Sequence, residues 1–200
     1  MLEFDNVELL TYTTNPESRL LDYYSQCYKK PISLKNMLNV LKHESVLEHI
    51  SYTFRINCSR LTHLQIVRHR LASYTSQSHR YTAISCADTY KHIPNEIRDL
   101  GSGAVLEYIN DCLDIYNKYI KWIDKGVSKE SARYLINDGC NIEFTVTMNL
   151  RELLHFFALR TDVHAQDEIK ELANNMKALV FETLPEISEV LNTNIERKKI

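Results

Sequence analysis

Residues 50–59 read ISYTFRINCS, and residues 141–149 read NIEFTVTMN. In the first, Tyr52, Phe54, Ile56 and Cys58 alternate with Ser51, Thr53, Arg55, Asn57 and Ser59. In the second, Ile142, Phe144, Val146 and Met148 alternate with Asn141, Glu143, Thr145, Thr147 and Asn149. Successive side chains of a strand point to opposite faces, so a period of two marks two half-buried strands. Each runs directly into a helical pattern. After the first, Leu61, Leu64, Val67 and Leu71 form an apolar stripe, leaving Gln65, Arg68 and His69 on another face. After the second, Leu150, Leu153, Leu154 and Phe157 form the stripe, with Arg151 and His155 one turn apart beside it.

Four glycines and four prolines in 200 residues favour long helices elsewhere. Residues 15–29, NPESRLLDYYSQCYK, read as a helix capped by Asn15 with Pro16 in its first turn. Residues 33–43, SLKNMLNVLKH, read as a second helix capped by Ser33. Segments 103–125 and 165–183 read as longer helices, the latter stopping before Pro185. With no repeat and no linker, the pattern is one helix-rich α+β domain over residues 1–200, with a small, mainly antiparallel sheet.

A net charge of -2 argues against a general nucleic-acid or membrane-surface binder, both of which want a basic excess. No stretch approaches the roughly 18 apolar residues that cross a bilayer. The acidic N-terminus, MLEFDNVELL, is unlike a secretory signal, so the expectation is a cytoplasmic protein. Five cysteines without metal-type spacing fit small buried residues in a reducing compartment. None has a neighbouring base that would mark a nucleophile.

The distribution of charge says more than its sum. Residues 43–90 hold Arg55, Arg60, Arg68, Arg70 and Arg80 without one lysine, and residues 130–169 hold Arg133, Arg151 and Arg160, again without lysine. Seven of the eight histidines fall in the same two windows. Arginine's planar fork of donors suits phosphate, carboxylate or a ring edge. The segment RHRLASYTSQSHRY, residues 68–81, concentrates arginine, histidine and hydroxyls with no acid of its own, as a phosphate or nucleotide site needs. A helix-turn-helix over residues 62–81 is the competing reading, weakened by the preceding strand and the absence of a turn glycine. In HESVLEH, residues 43–49, the histidines are six apart, unlike the i, i+4 pair of a zinc helix, so no metal is expected. Its simplest reading is a helix end with Glu44 and Glu48 on one face, His43 and Ser45 remaining ligand candidates. In residues 149–169, Arg151, His155 and Arg160 lie off the apolar stripe and suggest an anion or ring-edge site.

These residues also carry a resemblance. RHRLASYTSQSHRY resembles the R-H-R-x-x-S-x-N-x-x-S-x-R motif of flavin-dependent thymidylate synthases (ThyX), matching at Arg68, His69, Arg70, Ser73, Ser78 and Arg80. HESVLEH is similar to the family's H-E-x-x-x-E-H. NLRELLHFFALR, with HAQDEI after it, is similar to N-x-R-x-L-x-x-F-x-x-L-R followed by H-A-Q-x-E-I. Order and spacing agree from about residue 15 to 183. Thr75 stands where the motif has Asn, and Ser76 where many members have an acid.

The resemblance implies a ThyX-like fold that makes dTMP from dUMP. The carbon donor would be 5,10-methylenetetrahydrofolate, the hydride source FAD reduced by NAD(P)H, and no cysteine adduct would form. It implies a homotetramer with shared active sites. Carried over residue by residue, FAD contacts fall on His43, Ser45, Arg68, His69, Arg70, Ser76, Asn149, Arg151 and His155. Contacts to dUMP fall on Gln65, Arg68, Ser76, Gln77, Ser78, His79, Arg80, Arg133 and Arg160, with Ser78 and Arg80 near the phosphate. Arg160 is the implied catalytic residue, a cation favouring ionised uracil. A flavin- or nucleotide-binding module without synthase activity is the alternative.

Overall fold

The computed structural model describes residues 2–29 and 44–199. The helix expected over residues 33–43 lies outside the described residues, as does His43. In chain order the elements begin with β1 (Val7–Tyr12), α1 (Pro16–Tyr28), a 3-10 helix (Glu44–His49), β2 (Ser51–Ser59), α2 (Arg60–Ile66) and β3 (Ala72–Ser76). Short helical turns, including α3 (Asn95–Asp99), lead to α4 (Ser102–Asp124) and α5 (Lys129–Ala132). Then follow β4 (Asn141–Asn149), α6 (Leu150–Arg160), α7 (Asp167–Glu182) and α8 (Ser188–Lys198). The expected helix-rich α+β class with a small antiparallel sheet is what forms.

The four strands lie in the order β1-β2-β4-β3. β1 pairs antiparallel with β2, Val7 opposite Ile56 and Tyr12 opposite Tyr52, with an irregularity between Leu9 and Thr11. β2 and β4 run antiparallel too. Leu150 N–H donates to the Ile50 carbonyl at one end, and Arg60 N–H donates to the Cys140 carbonyl at the other. The alternation in both central strands is realised: Tyr52, Phe54, Ile56, Cys58, Ile142, Phe144, Val146 and Met148 are all buried.

The chain clusters into two compact units, and β2, β3 and β4 each contribute residues to both. The first comprises Met1–Ile56, His69–Tyr74 and Thr145–Ile200. Its centre is α6, which packs against α7, α8 and the 3-10 helix. The expected stripe Leu150, Leu153, Leu154 and Phe157 is buried, joined by Phe156 and Ala158, so this helix is apolar around most of its circumference. Tyr52 stacks between Tyr12 and Phe54 at 5.9 and 6.3 Å, its hydroxyl 2.9 Å from that of Thr183. Asn15 precedes α1 as expected, but its side chain does not cap. It adopts φ 50°, and its carbonyl accepts from Arg19 N–H instead.

The second unit comprises Asn57–Arg68 and Thr75–Phe144. Its apolar cluster, Ile84, Tyr119, Ala132, Ile136 and Cys140, is covered by Ile115, Tyr116, Ile120, Ile123 and Val127 along and just beyond α4. That helix ends in a Schellman turn: Gly126 N–H donates to the Ile123 carbonyl and Val127 N–H to that of Trp122. The turn needs the left-handed φ of 86° that Gly126 supplies.

Two expectations are corrected here. The stripe drawn through Leu61, Leu64, Val67 and Leu71 does not form, because α2 is only seven residues long and buries Thr62 and Ile66 instead. Leu61, Leu64 and Leu71 are exposed. Residues 72–76, where a recognition helix would have to continue, are strand β3, which removes the helix-turn-helix reading. All five cysteines are free, three of them buried, and burial pushes the Cys140 thiol up to about 12. Among the described residues no helix is long and apolar enough to cross a membrane.

Candidate active site

Helix α6 organises the chemistry of the first unit. Asn149 caps it, its side-chain oxygen accepting from Glu152 N–H at 2.9 Å. The 3.6-residue turn then places Glu152 and His155 on one side, with Arg160 in the last turn. Glu152 is only 7% exposed and His69 only 4%. Their side chains meet at 2.8 Å, Nδ1 to Oε1. On the other edge of the ring, Arg160 Nε donates to His69 Nε2 at 3.4 Å. The ring packs edge-on to Phe156 at 5.0 Å and tilted against His155 at 5.6 Å, while the His69 backbone carbonyl accepts from Tyr74 Oη at 2.7 Å. Burial lowers the imidazole pKa. Arg160 and His155 push the same way, and Glu152 opposes them. Burial likewise pushes the Tyr74 phenol up to about 12.

His69, Glu152 and His155 offer ligand atoms within 4.8 Å of one another, close enough in principle for a metal ion. Two of those atoms, Nδ1 and Oε1, are already joined by the 2.8 Å hydrogen bond, which a metal would have to displace. The arrangement fits a hydrogen-bonded carboxylate, imidazole and guanidinium chain better than a coordination set.

Arg151 is not the unpaired cation that its place in the sequence suggests. It bonds Glu44 at 3.3 Å and Glu48 at 2.5 Å, while Lys198 also bonds Glu44. Those contacts, Lys198 first, hold the Glu44 carboxyl below its ordinary range. Within the 3-10 helix Glu44–His49, Glu44 and Glu48 thus both meet Arg151, and Ser45 is exposed beside them. Arg68 and Arg70 are exposed on either side of buried His69.

The second unit carries a cavity of about 360 Å³ lined by Arg60, His63, Leu64, Ser76, Gln77, Ser78, His79, Arg133 and Ile142. This size falls within the range of small-molecule sites. Five of the expected dUMP residues thus line one cavity: Ser76, Gln77, Ser78, His79 and Arg133. Gln65, Arg68, Arg80 and Arg160 are not among the lining residues; Arg80 instead pairs with Glu130 at 2.9 Å. Residues 68–81 contain no acid, yet acids reach two of their side chains from elsewhere in the chain: Glu130 pairs with Arg80, and Glu152 bonds His69. Ser78 starts a turn, its carbonyl accepting from Tyr81 and Thr82 N–H, and Gln77 N–H donates to the Glu143 carbonyl. His79 is 6% exposed, and its Nε2 meets no hydrogen-bond partner among the described residues. Burial, aided by Arg60 and Arg133, lowers its pKa, so the ring is kept neutral.

Sequence reasoning did not single out Arg60 and His63 as site residues. Their i, i+3 spacing on α2, with Leu64 beside them, was the available signal. His63 Nε2 lies 3.0 Å from Ser76 Oγ, and its ring packs edge-on to Phe144 at 4.7 Å. Glu152 was missed as well.

Comparison with known proteins adds the lineage. Residues 8–186 match the family described as thymidylate synthase complementing protein. A flavin-dependent thymidylate synthase of Pyrococcus horikoshii is 37% identical over 188 residues, covering 85% of this chain and 76% of the relative. One from Clostridium tetani is 35% identical, covering 90% and 84%. The crystal structure of the UMP/dUMP methylase PolB from Streptomyces cacaoi, bound with 5-Br dUMP, superposes with a TM-score of 0.77 over 94% of each chain. At 22% identity, that likeness establishes a shared fold. A family match across most of the chain, together with relatives above 30% identity over most of both lengths, places it: this chain belongs to the flavin-dependent thymidylate synthase family.

Proposed function

We propose that the protein converts dUMP to dTMP, taking the carbon from 5,10-methylenetetrahydrofolate and the hydride from FAD reduced by NAD(P)H. Tetrahydrofolate and oxidised nicotinamide are the other products. The observation that carries this reading is family membership over residues 8–186 with the motif cations Arg68, Arg70, Arg80, Arg133 and Arg160 all present.

The donor-lined cavity supports nucleotide binding by Ser76, Gln77, Ser78, His79 and Arg133, with Gln65, Arg68 and Arg80 assigned to the same ligand. The buried, unpartnered Nε2 of His79 suits such a ligand, because a buried polar atom without a partner costs on the order of 1–3 kcal/mol. For the flavin, the donor set fits an acceptor-rich dinucleotide: exposed Arg68 and Arg70 with His69 between them, and Ser45, Ser76, Asn149, Arg151 and His155, with His43, on the same motif as Ser45, assigned to the same ligand. When bound, the reduced flavin would supply the hydride. Arg160 would sit beside the pyrimidine, where a fixed cation favours ionised uracil and makes C5 nucleophilic. The folate and nicotinamide, a homotetramer with shared active sites, one ThyX-like domain over residues 1–200 and a cytoplasmic location belong to the same proposal.

The test is anaerobic incubation of flavin-loaded protein with dUMP, methylenetetrahydrofolate and NADPH, with nucleotides separated by chromatography. Formation of dTMP is expected, as are flavin absorption bands that shift when dUMP is added. Tight flavin binding without dTMP would favour the non-synthase module instead.

A further inference from the structure

We propose that Glu152 is a positioning residue for Arg160, acting through His69: its carboxylate holds the imidazole in the Nδ1–H tautomer, and Nε2 then fixes the guanidinium. The catalytic side of this inference rests on the function proposed above. The tautomer follows from donor chemistry. A guanidinium nitrogen can only donate, so His69 Nε2, 3.4 Å from Arg160 Nε, must accept. In a neutral imidazole the proton is then on Nδ1, which donates to Glu152 Oε1 at 2.8 Å. Burial and the neighbouring Arg160 both keep the ring neutral, in agreement.

The position of Glu152 argues for a dedicated role. Asn149 and Glu152 have the spacing of a capping box, in which the glutamate normally turns back to the N-cap amide. Asn149 makes its half of the box, but the Glu152 carboxylate is instead on His69. A buried carboxylate is costly unless paired, and an apolar side chain of similar size would pack there without that cost. The imidazole it holds packs against Phe156 and His155, and the Tyr74 hydroxyl fixes the His69 backbone by donating to its carbonyl. The result is a fixed acceptor aimed at one arginine nitrogen.

The experiment is nitrogen-15 histidine labelling of the full chain and long-range nitrogen–proton correlation spectra at about pH 7.5, with His69 assigned by a His69→Asn variant. Wild type should show His69 as the neutral Nδ1–H form. Glu152→Gln, whose carbonyl can still accept, should keep it, and Glu152→Leu should release it to a mixture or to the Nε2–H form. In turnover, Glu152→Leu should lose roughly 100-fold in kcat, with Glu152→Gln recovering most of it. The dUMP dissociation constant, read from the flavin spectrum, should move by less than about threefold. An Nε2–H or doubly protonated His69 in wild type would overturn the proposal, whether or not the variants fold. So would Glu152→Leu with unchanged tautomer and turnover. If wild type itself made no dTMP, the function reading would fail while the tautomer spectra still decided the relay.

Discussion

His69 Nδ1 and Glu152 Oε1 meet at 2.8 Å although 83 residues separate them, and both side chains are almost fully buried. The pair sits at the start of helix α6, whose last turn carries Arg160. One helix thereby spaces a carboxylate and a guanidinium to reach the two edges of a single imidazole. A rigid helix holds such a geometry better than a loop would.

Arg160→Ala should remove the cation assigned to the pyrimidine while leaving flavin bound. Loss of one preorganised charge contact costs roughly 100- to 1000-fold in kcat. Single-turnover dTMP formation with the flavin absorbance recorded in parallel checks this, and undiminished turnover would sink the assignment.

Arg151→Ala separates a structural role from a ligand role. Its ion pairs with Glu44 and Glu48 are about half exposed, the arginine side chain 47%. Pairs of this kind contribute about 0–1 kcal/mol. Urea denaturation of the variant should show a change within that range. If Arg151 also contacts the flavin, FAD affinity should fall by about tenfold or more. Unaltered affinity would leave only the ion pairs.

Acid should weaken the fold through its buried histidines. His69 and His79 have pKa values lowered from 6.5 by burial, so the folded protein takes up protons on them later than the unfolded chain does. Below about pH 6.5 the unfolded state is favoured by up to about 1.4 kcal/mol per pH unit for each ring, until the folded pKa is reached. Urea midpoints should therefore fall between about pH 7.5 and 5.5. Glu44 acts separately. Its lowered carboxyl stabilises the fold above its ordinary value of 4.5 and loses that contribution only as the pH drops beneath it. A flat profile from pH 7.5 to 5.5 would contradict the neutral, buried state of both histidines.

Phe54→Ala tests the sheet core. Phe54 is fully buried on β2, and truncation at such a site costs about 3–5 kcal/mol. Circular dichroism melting should show a large fall in Tm, and a loss below about 1 kcal/mol would mean the strand does not face a packed interior.

What the sequence determined by itself is the local, periodic part of this protein. Tyr52, Phe54, Ile56 and Cys58 on β2, and Ile142, Phe144, Val146 and Met148 on β4, alternate because each strand has one buried face. Burial imprints that period directly on the residues. The α6 stripe is legible for the same reason. Strand β3 is not: Ala72 to Ser76 have no buried residue, so no face is marked. The α2 stripe misleads because seven helical residues make only two turns, and Leu71 lies beyond them. The ordered arginine and histidine motifs were enough to indicate the family, yet not which side chains touch. Glu152 reads locally as half of a capping box, and Arg151 as an unpaired cation. Only the tertiary structure decides otherwise, because hydrogen bonds and ion pairs depend on distances of a few ångströms between groups 83 to 107 residues apart, which chain order does not encode.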